Sequence, residues 1–390
     1  MSRRVVDVDL PDRAYEVRIG RGALSDAPTL ARGLLGDRAL RVLVVRDTGV
    51  PEGFGDGLVA GLGDAGFEAR VCDITPSETI KTLDTVGHLL VEAARFGLTR
   101  VDAVVALGGG VVGDIAGFVA ASYQRGIPVI QCPSTLLSMV DASVGGKTGA
   151  NLEVDGELHK NMVGAFHQPT MVIADTALLD SLDPRQFRCG LAECVKHGMI
   201  CGSVPDEDET HAGLLEWMNQ HRRGIVEFDH ETIDELVERN VALKASVVMG
   251  DERESPNAKS GGRMLLNFGH TFGHAIETLG GLRLEGEEPG LHHGEAVALG
   301  MCCACDAAET LGMCEKSVGE MLREVLGVFG LPTRVAGLPD SASIAARMGH
   351  DKKAAGGSLR VILPEGRGRC VIVADPDAGA LRRGLDSIRA

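Results

Sequence analysis

The sequence predicts an α/β N-terminal domain of nucleotide-binding type, a mostly parallel Rossmann-like sheet, followed by a mainly α-helical C-terminal domain. Three observations carry this. The first half alternates short apolar runs with helix-patterned segments, which implies a parallel sheet covered by helices. One apolar run, VDAVVALGGG, ends in a glycine cluster that opens a further helix-like stretch. Beyond Leu178 the strand signal fades and long helical periods take over.

In chain order, VVDVDL and YEVRIG pair as a hairpin, RVLVVRD is a strand, and residues 57–65 form a helix. EARVCD is the next strand, residues 79–95 the next helix, and VDAVVALGGG the strand that carries the glycines. The boundary falls near residue 178, giving domains 1–177 and 178–390. In the second domain ETIDELVERNVALKASVVM and HGEAVALGMCCACDAAETLG read as helices, and RVILPEGRGRCVIV as a hairpin. Residues 204–211, 254–262 and 280–290 are rich in charge, Gly and Pro and read as surface loops.

A chain of 390 residues with 44% hydrophobic content can bury two cores. Its 39 basic against 55 acidic residues give a net charge of -16, which argues against nucleic acid or an anionic membrane as partner. An anionic small-molecule substrate must then meet a local cluster of cations. No run is apolar and long enough to span a bilayer, and the opening MSRRVVDVDL lacks a signal-peptide core, so a cytoplasmic protein is expected. The ten cysteines read as reduced, packed thiols, because the CxxC of Cys302 and Cys305 has no second pair to complete a zinc site.

Four stretches carry chemistry. Gly108, Gly110 and Gly113 satisfy G-x-G-x-x-G at a strand-to-helix turn, where backbone N–H groups can meet a pyrophosphate. No acid follows at the usual distance for a ribose, which leaves Asp47 or Glu78 for that contact. SVGGKTG has Asp141 where a P-loop needs Gly, so ATP hydrolysis is not expected; Lys147 still suits an anion, with Lys160 and Asn161 close behind. In a helical NFGHTFGHAIE, residues Arg263, Asn267, His270, His274 and Glu277 fall at offsets 0, 4, 7, 11 and 14, one polar stripe. GLAECVKHG sets Glu193 and Lys196 three apart, and His292 and His293 form a second histidine cluster. Several histidines and a carboxylate suit a divalent transition metal. The plainer alternatives are hydrogen-bonded core histidines and a simple Glu193–Lys196 ion pair.

PSETIKT, GGGVVGDIAGF, RGIPVIQCPSTLLSMVDASVGGKTG, KNMVGAFHQP, GLAECVKHG, NFGHTFGHAIE, HHGEAVALGM and DKKAAGGSLRVILP together resemble the 3-dehydroquinate synthase family of the sugar phosphate cyclases. The resemblance implies a lyase that converts 3-deoxy-D-arabino-heptulosonate 7-phosphate into 3-dehydroquinate and phosphate, with NAD and Zn2+ or Co2+ as cofactors. It implies Glu193, His270 and His293 as metal ligands, with His292 a bystander. For NAD it implies Glu78, Lys81, Gly109, Gly110, Val111, Asp114, Ser134, Thr135 and Asp141. For the substrate phosphate it implies Lys147, Asn161, Asn267 and His274, with Lys160 nearby and Arg125 reaching in from the second subunit of a homodimer. Lys244 and Arg263 match the positions that receive the substrate carboxylate, Lys196 and Asp141 lie near its hydroxyls, and Lys352 or Lys353 brings a further cation. One departure stands out: the link from Gly-Lys-Thr-Gly to Lys160 is about four residues longer than the family's, adding Glu153, Asp155 and Glu157. It reads as a tolerable loop insertion. The nearest alternatives are a cyclase acting on sedoheptulose 7-phosphate, a metal-dependent polyol dehydrogenase, and a non-catalytic relative that binds NAD or metal.

Overall fold

A computed structural model describes residues 3–11, 13–155, 157–205, 210–255, 259–354 and 358–390; of 157, 259–261 and 349–354 it describes the backbone alone. The chain divides into two compact units, Met1–Asp183 with Ile233–Ala245, and Pro184–Thr232 with Ser246–Ala390.

The first unit is built on strands β1 (Arg4–Val8), β2 (Tyr15–Ile19), β3 (Arg41–Asp47), β4 (Glu68–Ile74), β5 (Ala103–Gly108), β6 (Val129–Pro133), β7 (Lys147–Val154), β8 (Glu157–Phe166) and β9 (Met171–Ala174). Seven of them form one sheet in the order β1-β2-β9-β6-β5-β3-β4. Only the β1–β2 hairpin is antiparallel; the other pairings run parallel. β5 and β6 are buried along their whole length, which is why β5 reads as an unbroken apolar run and not as alternation. The chain leaves β3 toward β4 on one side and returns to β5 on the other, so the sheet has its switch point at the carboxyl ends of β3 and β5. Asp47 and Gly108 end those strands.

The helix expected at 79–95 runs Leu83–Phe96, because the Thr82 hydroxyl caps it by accepting the Thr85 N–H and Gly97 ends it in the left-handed conformation. The one expected at 57–65 begins earlier, at Glu52 behind Pro51, and ends at Asp64. The long link before Lys160 is no loose insertion: β7 and β8 pair antiparallel out to Val154 and Glu157, with a register shift at Ala150/Leu152.

The second unit is mainly helical, with the hairpin β10 (Arg360–Gly366) and β11 (Arg369–Ala374) that the sequence predicts. Its centre is the helix His293–Thr310, buried along nearly its whole length. Small residues let neighbours approach it. A Cβ on Gly294 would strike the Cys189 backbone, one on Gly300 the backbone of Gly269 and Gly273, and one on Gly384 the Cys303 carbonyl. Residues 280–290 form turns, and parts of 204–211 and 254–262 fall outside the described residues. Among the described residues no helix is long and apolar enough to cross a membrane. All ten cysteines are free, and burial pushes the thiols of Cys132, Cys189 and Cys302 up to about 12, where they are inert.

Candidate active site

In the first unit the glycine turn lies at the sheet's switch point. Gly109 caps the helix Gly110–Ser122, whose first N–H groups, including those of Gly110 and Val111, have no intrahelical acceptor. Asp47 is 8% exposed and spends its carboxylate on the turn, accepting from Gly49 N at 2.7 Å and from the Gly109 N–H. Burial pushes its pKa up against those two bonds. A Cβ on Gly108 would come within 2.9 Å of Asp47 Cβ, and one on Gly109 within 3.1 Å of Thr135. Ser134 N donates to the Gly108 carbonyl at 2.9 Å, which closes the cradle from the β6 side.

Around it stands a polar network. Lys81 Nζ, 5% exposed, donates to Asp114 Oδ2 and to Asn161 Oδ1, both at 2.5 Å. Burial raises the Asp114 pKa and Lys81 opposes it. Asn151 braces this edge: its side chain donates to Glu78 Oε2 at 2.9 Å and accepts from Asn161 N at 2.9 Å. Glu78 is exposed, so of the two acids considered for a ribose it is the accessible one. Lys244 lies against Asp141 in a close ion pair. Lys147 opens β7 just after the left-handed Gly145 and Gly146 and is exposed, as are Lys160 and Arg125.

In the second unit three helices converge. Glu193 belongs to Pro184–Ile200, His270 opens His270–Glu277, and His293 opens His293–Thr310. Cys189 lies one turn before Glu193 and Gly294 follows His293, so the close approach at Gly294 brings these two side chains together. Gly269 and Gly273 do the same for His270 against the central helix. Arg185 grips Glu295 at 2.7 and 2.8 Å, and Glu295 accepts the His292 N–H at 2.8 Å, which fixes the turn that presents His293.

The resulting donor set fits a divalent ion. Glu193 Oε1 lies 3.7 Å from His270 Nε2 and 3.5 Å from His293 Nε2. Those separations lie at and just beyond the outer limit of a hydrogen bond, and they match the spacing of two ligand atoms each about 2.1 Å from a tetrahedral ion, which lie about 3.4 Å apart. The other carboxylate oxygen, Oε2, pairs with Lys196 Nζ at 2.7 Å. The three donors form a group of metal-holding geometry, and His274, Glu277 and His293 form a second among the described residues. Burial lowers the His270 pKa to about 3, so its imidazole is neutral and ready to ligate. Burial opposes protonation of His293 too, but Glu193 and Glu277 together carry it up to about 10.

The polar stripe drawn from Arg263 to Glu277 is broken. A 3-10 helix covers Lys259–Asn267, Gly269 turns left-handed, and the α-helix starts afresh at His270. His270, His274 and Glu277 keep one face; Arg263 is almost fully buried behind Asp251, which accepts its backbone N–H at 3.1 Å, and Asn267 is half-buried. The side chains of Lys352 and Lys353 lie outside the described residues. Sequence reasoning gave no role to Asn151, Arg185 or Glu295. Only Glu295 left a signal, as an acid two residues into the helix that His293 opens.

A Rossmann-like sheet with a glycine turn, together with a helical unit holding one carboxylate and two imidazoles, is the combination that metal-assisted cyclases and dehydrogenases require. The comparisons narrow it. Sequence profiles described as 3-dehydroquinate synthase N-terminal and C-terminal match residues 71–189 and 190–354. The 3-dehydroquinate synthase of Caulobacter vibrioides is 40% identical over 383 residues, 97% of each chain. Among solved structures, a 2-deoxy-scyllo-inosose synthase complexed with carbaglucose-6-phosphate, NAD+ and Co2+ matches with a TM-score of 0.81 at 25% identity, over 98% of this chain and 99% of that one. A 2-epi-5-epi-valiolone synthase from Streptomyces hygroscopicus with NAD+ and Zn2+ bound matches with a TM-score of 0.80 at 27% identity, over 99% of each. The chain belongs to the 3-dehydroquinate synthase family of sugar phosphate cyclases. Its reaction is that of a lyase of the shikimate pathway, closing the heptulosonate phosphate to 3-dehydroquinate with loss of phosphate.

Proposed function

We propose that this chain carries out that reaction with NAD on the glycine turn and Zn2+ or Co2+ on Glu193, His270 and His293, as a cytoplasmic homodimer. The observation that carries the metal reading is the Glu193–His270–His293 spacing. The NAD reading is supported by the glycine turn at the switch point and by the NAD+ bound in the two solved relatives. When bound, the ion acidifies a substrate hydroxyl and NAD takes up and returns one hydride, so neither is consumed.

The protein's own groups position and neutralise. In the first unit the N–H groups after Gly109 receive the pyrophosphate, Glu78 the ribose, and the Lys81–Asp114 pair holds the strand–helix edge in place. Thr135 and Ser134 line the same turn. Lys147, Lys160 and Asn161 present cation and amide to the substrate phosphate, and Lys244 can exchange Asp141 for an incoming carboxylate. In the second unit Lys196 Nζ holds Glu193 Oε2, which leaves Oε1 turned to the histidines. Asn267 and His274 serve phosphate there, and Arg263 serves carboxylate. Lys352 or Lys353 adds charge.

Supplying the heptulosonate phosphate with NAD and zinc tests this, following phosphate release alongside NADH absorbance. Phosphate without net NADH is expected; stoichiometric NADH would mark a dehydrogenase. Because a charge-assisted bond to a carboxylate is worth about 1.5 to 3 kcal/mol, Arg263→Ala should lower kcat/KM roughly ten- to a hundredfold on this substrate. Equal wild-type rates on sedoheptulose 7-phosphate, which has no carboxylate, would overturn the substrate assignment and leave the cyclase chemistry standing.

A further inference from the structure

The imidazole of His293 is held at both nitrogens. Nε2 lies 3.5 Å from Glu193 Oε1, toward the donor group just described, and Nδ1 lies 3.5 Å from Glu277 Oε2. Glu277 ends the helix that His270 begins, seven residues on and so on the same face, and its side chain is only 10% exposed. We propose that Glu277 is a positioning residue for the metal: it accepts a hydrogen bond from the Nδ1–H of His293, fixes the tautomer that leaves Nε2 free to ligate, and adds negative charge behind the ligand. This rests on the metal reading above.

The chemistry requires such a group. A ligating imidazole gives one nitrogen to the ion and needs an acceptor for the N–H of the other; a carboxylate there orients the ring and raises its basicity. In the structure Nδ1 of His293 faces Glu277 Oε2, and His270 Nδ1 uses the Phe268 carbonyl at 3.2 Å in the same way. Both histidine ligands therefore have their outer nitrogen turned to an oxygen.

A rival use of the same residues is a second ion on His274, Glu277 and His293. It would need both nitrogens of His293 for metal, hence an imidazolate. One neutral ring serves one ion and one hydrogen-bond acceptor, which favours the positioning role.

The test measures zinc affinity by chelator competition, zinc stoichiometry, and the visible absorption of the cobalt-loaded protein. It compares wild type with Glu277→Ala, Glu277→Gln and His270→Ala, each checked for folding by thermal denaturation. Wild type should bind one zinc. Glu277→Ala should bind it 10- to 100-fold more weakly with an altered cobalt spectrum, and Glu277→Gln, which keeps an acceptor for Nδ1–H, should recover part of the loss. Should Glu277→Ala prove unstable, Glu277→Leu, which fills the space but offers Nδ1–H no acceptor, decides in its place: affinity and spectrum identical to wild type overturn the proposal. Wild-type affinity in a folded Glu277→Ala while His270→Ala loses zinc overturns it and spares the metal site. Two zinc ions in wild type, one of them lost with Glu277, overturn it in favour of the second ion. Unchanged binding in His270→Ala overturns the site and the inference together.

Discussion

Glu193 is 2% exposed, and an isolated carboxylate at that depth would cost several kcal/mol. Lys196 offsets one oxygen and the two histidines face the other, so the residue makes sense as a compensated ligand. The sharp consequence concerns which histidines matter. His270→Ala should remove most bound zinc and nearly all activity, while His292→Ala should leave zinc content near wild type, because His292 Nδ1 lies 3.4 Å from Gln186 and only its backbone N–H reaches Glu295. Equal zinc loss by elemental analysis in both variants would show that the wrong neighbour of the HHGE pair was assigned. At this scale much was legible. The sequence brings out Glu193, His270 and His293 through residue type and a family pattern. Glu277 was visible on the stripe but had no partner there, since no spacing rule says that a residue sixteen positions later turns its outer nitrogen back toward it.

Helices and strands were readable where packing is repetitive and hidden where it depends on one close approach. The central parallel strands β3 and β5 announce themselves because both faces are buried. The break at Gly269 was not legible: the apolar and polar periods run straight through it, and only the need for a left-handed residue beneath Met301 and Val297 ends one helix and starts the next. Gly300 shows what such approaches hold together. Its Cβ would strike the Gly269 carbonyl, so Gly300→Ala must push the His270 helix off the central one. Overpacking of this kind costs about 1 to 3 kcal/mol. Weaker zinc retention and a lower melting temperature are expected together; a protein that melts earlier yet keeps its zinc would uncouple the helix contact from the metal. The β7–β8 hairpin makes the opposite case. Its length is extra, while the bracing of Glu78, Lys81 and Asn161 comes from Asn151, below its tip. Replacing residues 153–158 with an Asn-Gly turn should therefore change KM modestly and leave kcat similar, since loop length itself costs little. Abolished turnover in a folded, zinc-loaded variant would mean that the tip takes part.

A net charge of -16 sets the problem that the whole molecule must solve, because a doubly anionic substrate has to be held inside an acidic protein. The proposed site meets that charge with its own cations, and under the proposed homodimer the use of Arg125 would depend on assembly. It ends a short turn in which Gln124 and Arg125 both have positive φ, at 48° and 70°. Two consecutive left-handed side-chain residues are strained by about 1 to 3 kcal/mol each and persist only where something requires them. The turn leaves Arg125 exposed. If a homodimer puts this guanidinium into the partner's phosphate site, a two-fold interface makes the exchange reciprocal. Arg125→Ala and His270→Ala should then each be inactive alone and complement when mixed. In a mixed dimer the Arg125→Ala chain keeps its own metal ligands and receives a guanidinium from its partner, whereas the other site lacks both. After unfolding and refolding an equal mixture, half the dimers are mixed and each has one competent site of two, so roughly a quarter of wild-type activity should return. Phosphate release read against each parent refolded alone decides it. No recovery in a mixture shown to contain mixed dimers would place Arg125 in its own subunit's site, or outside the reaction altogether.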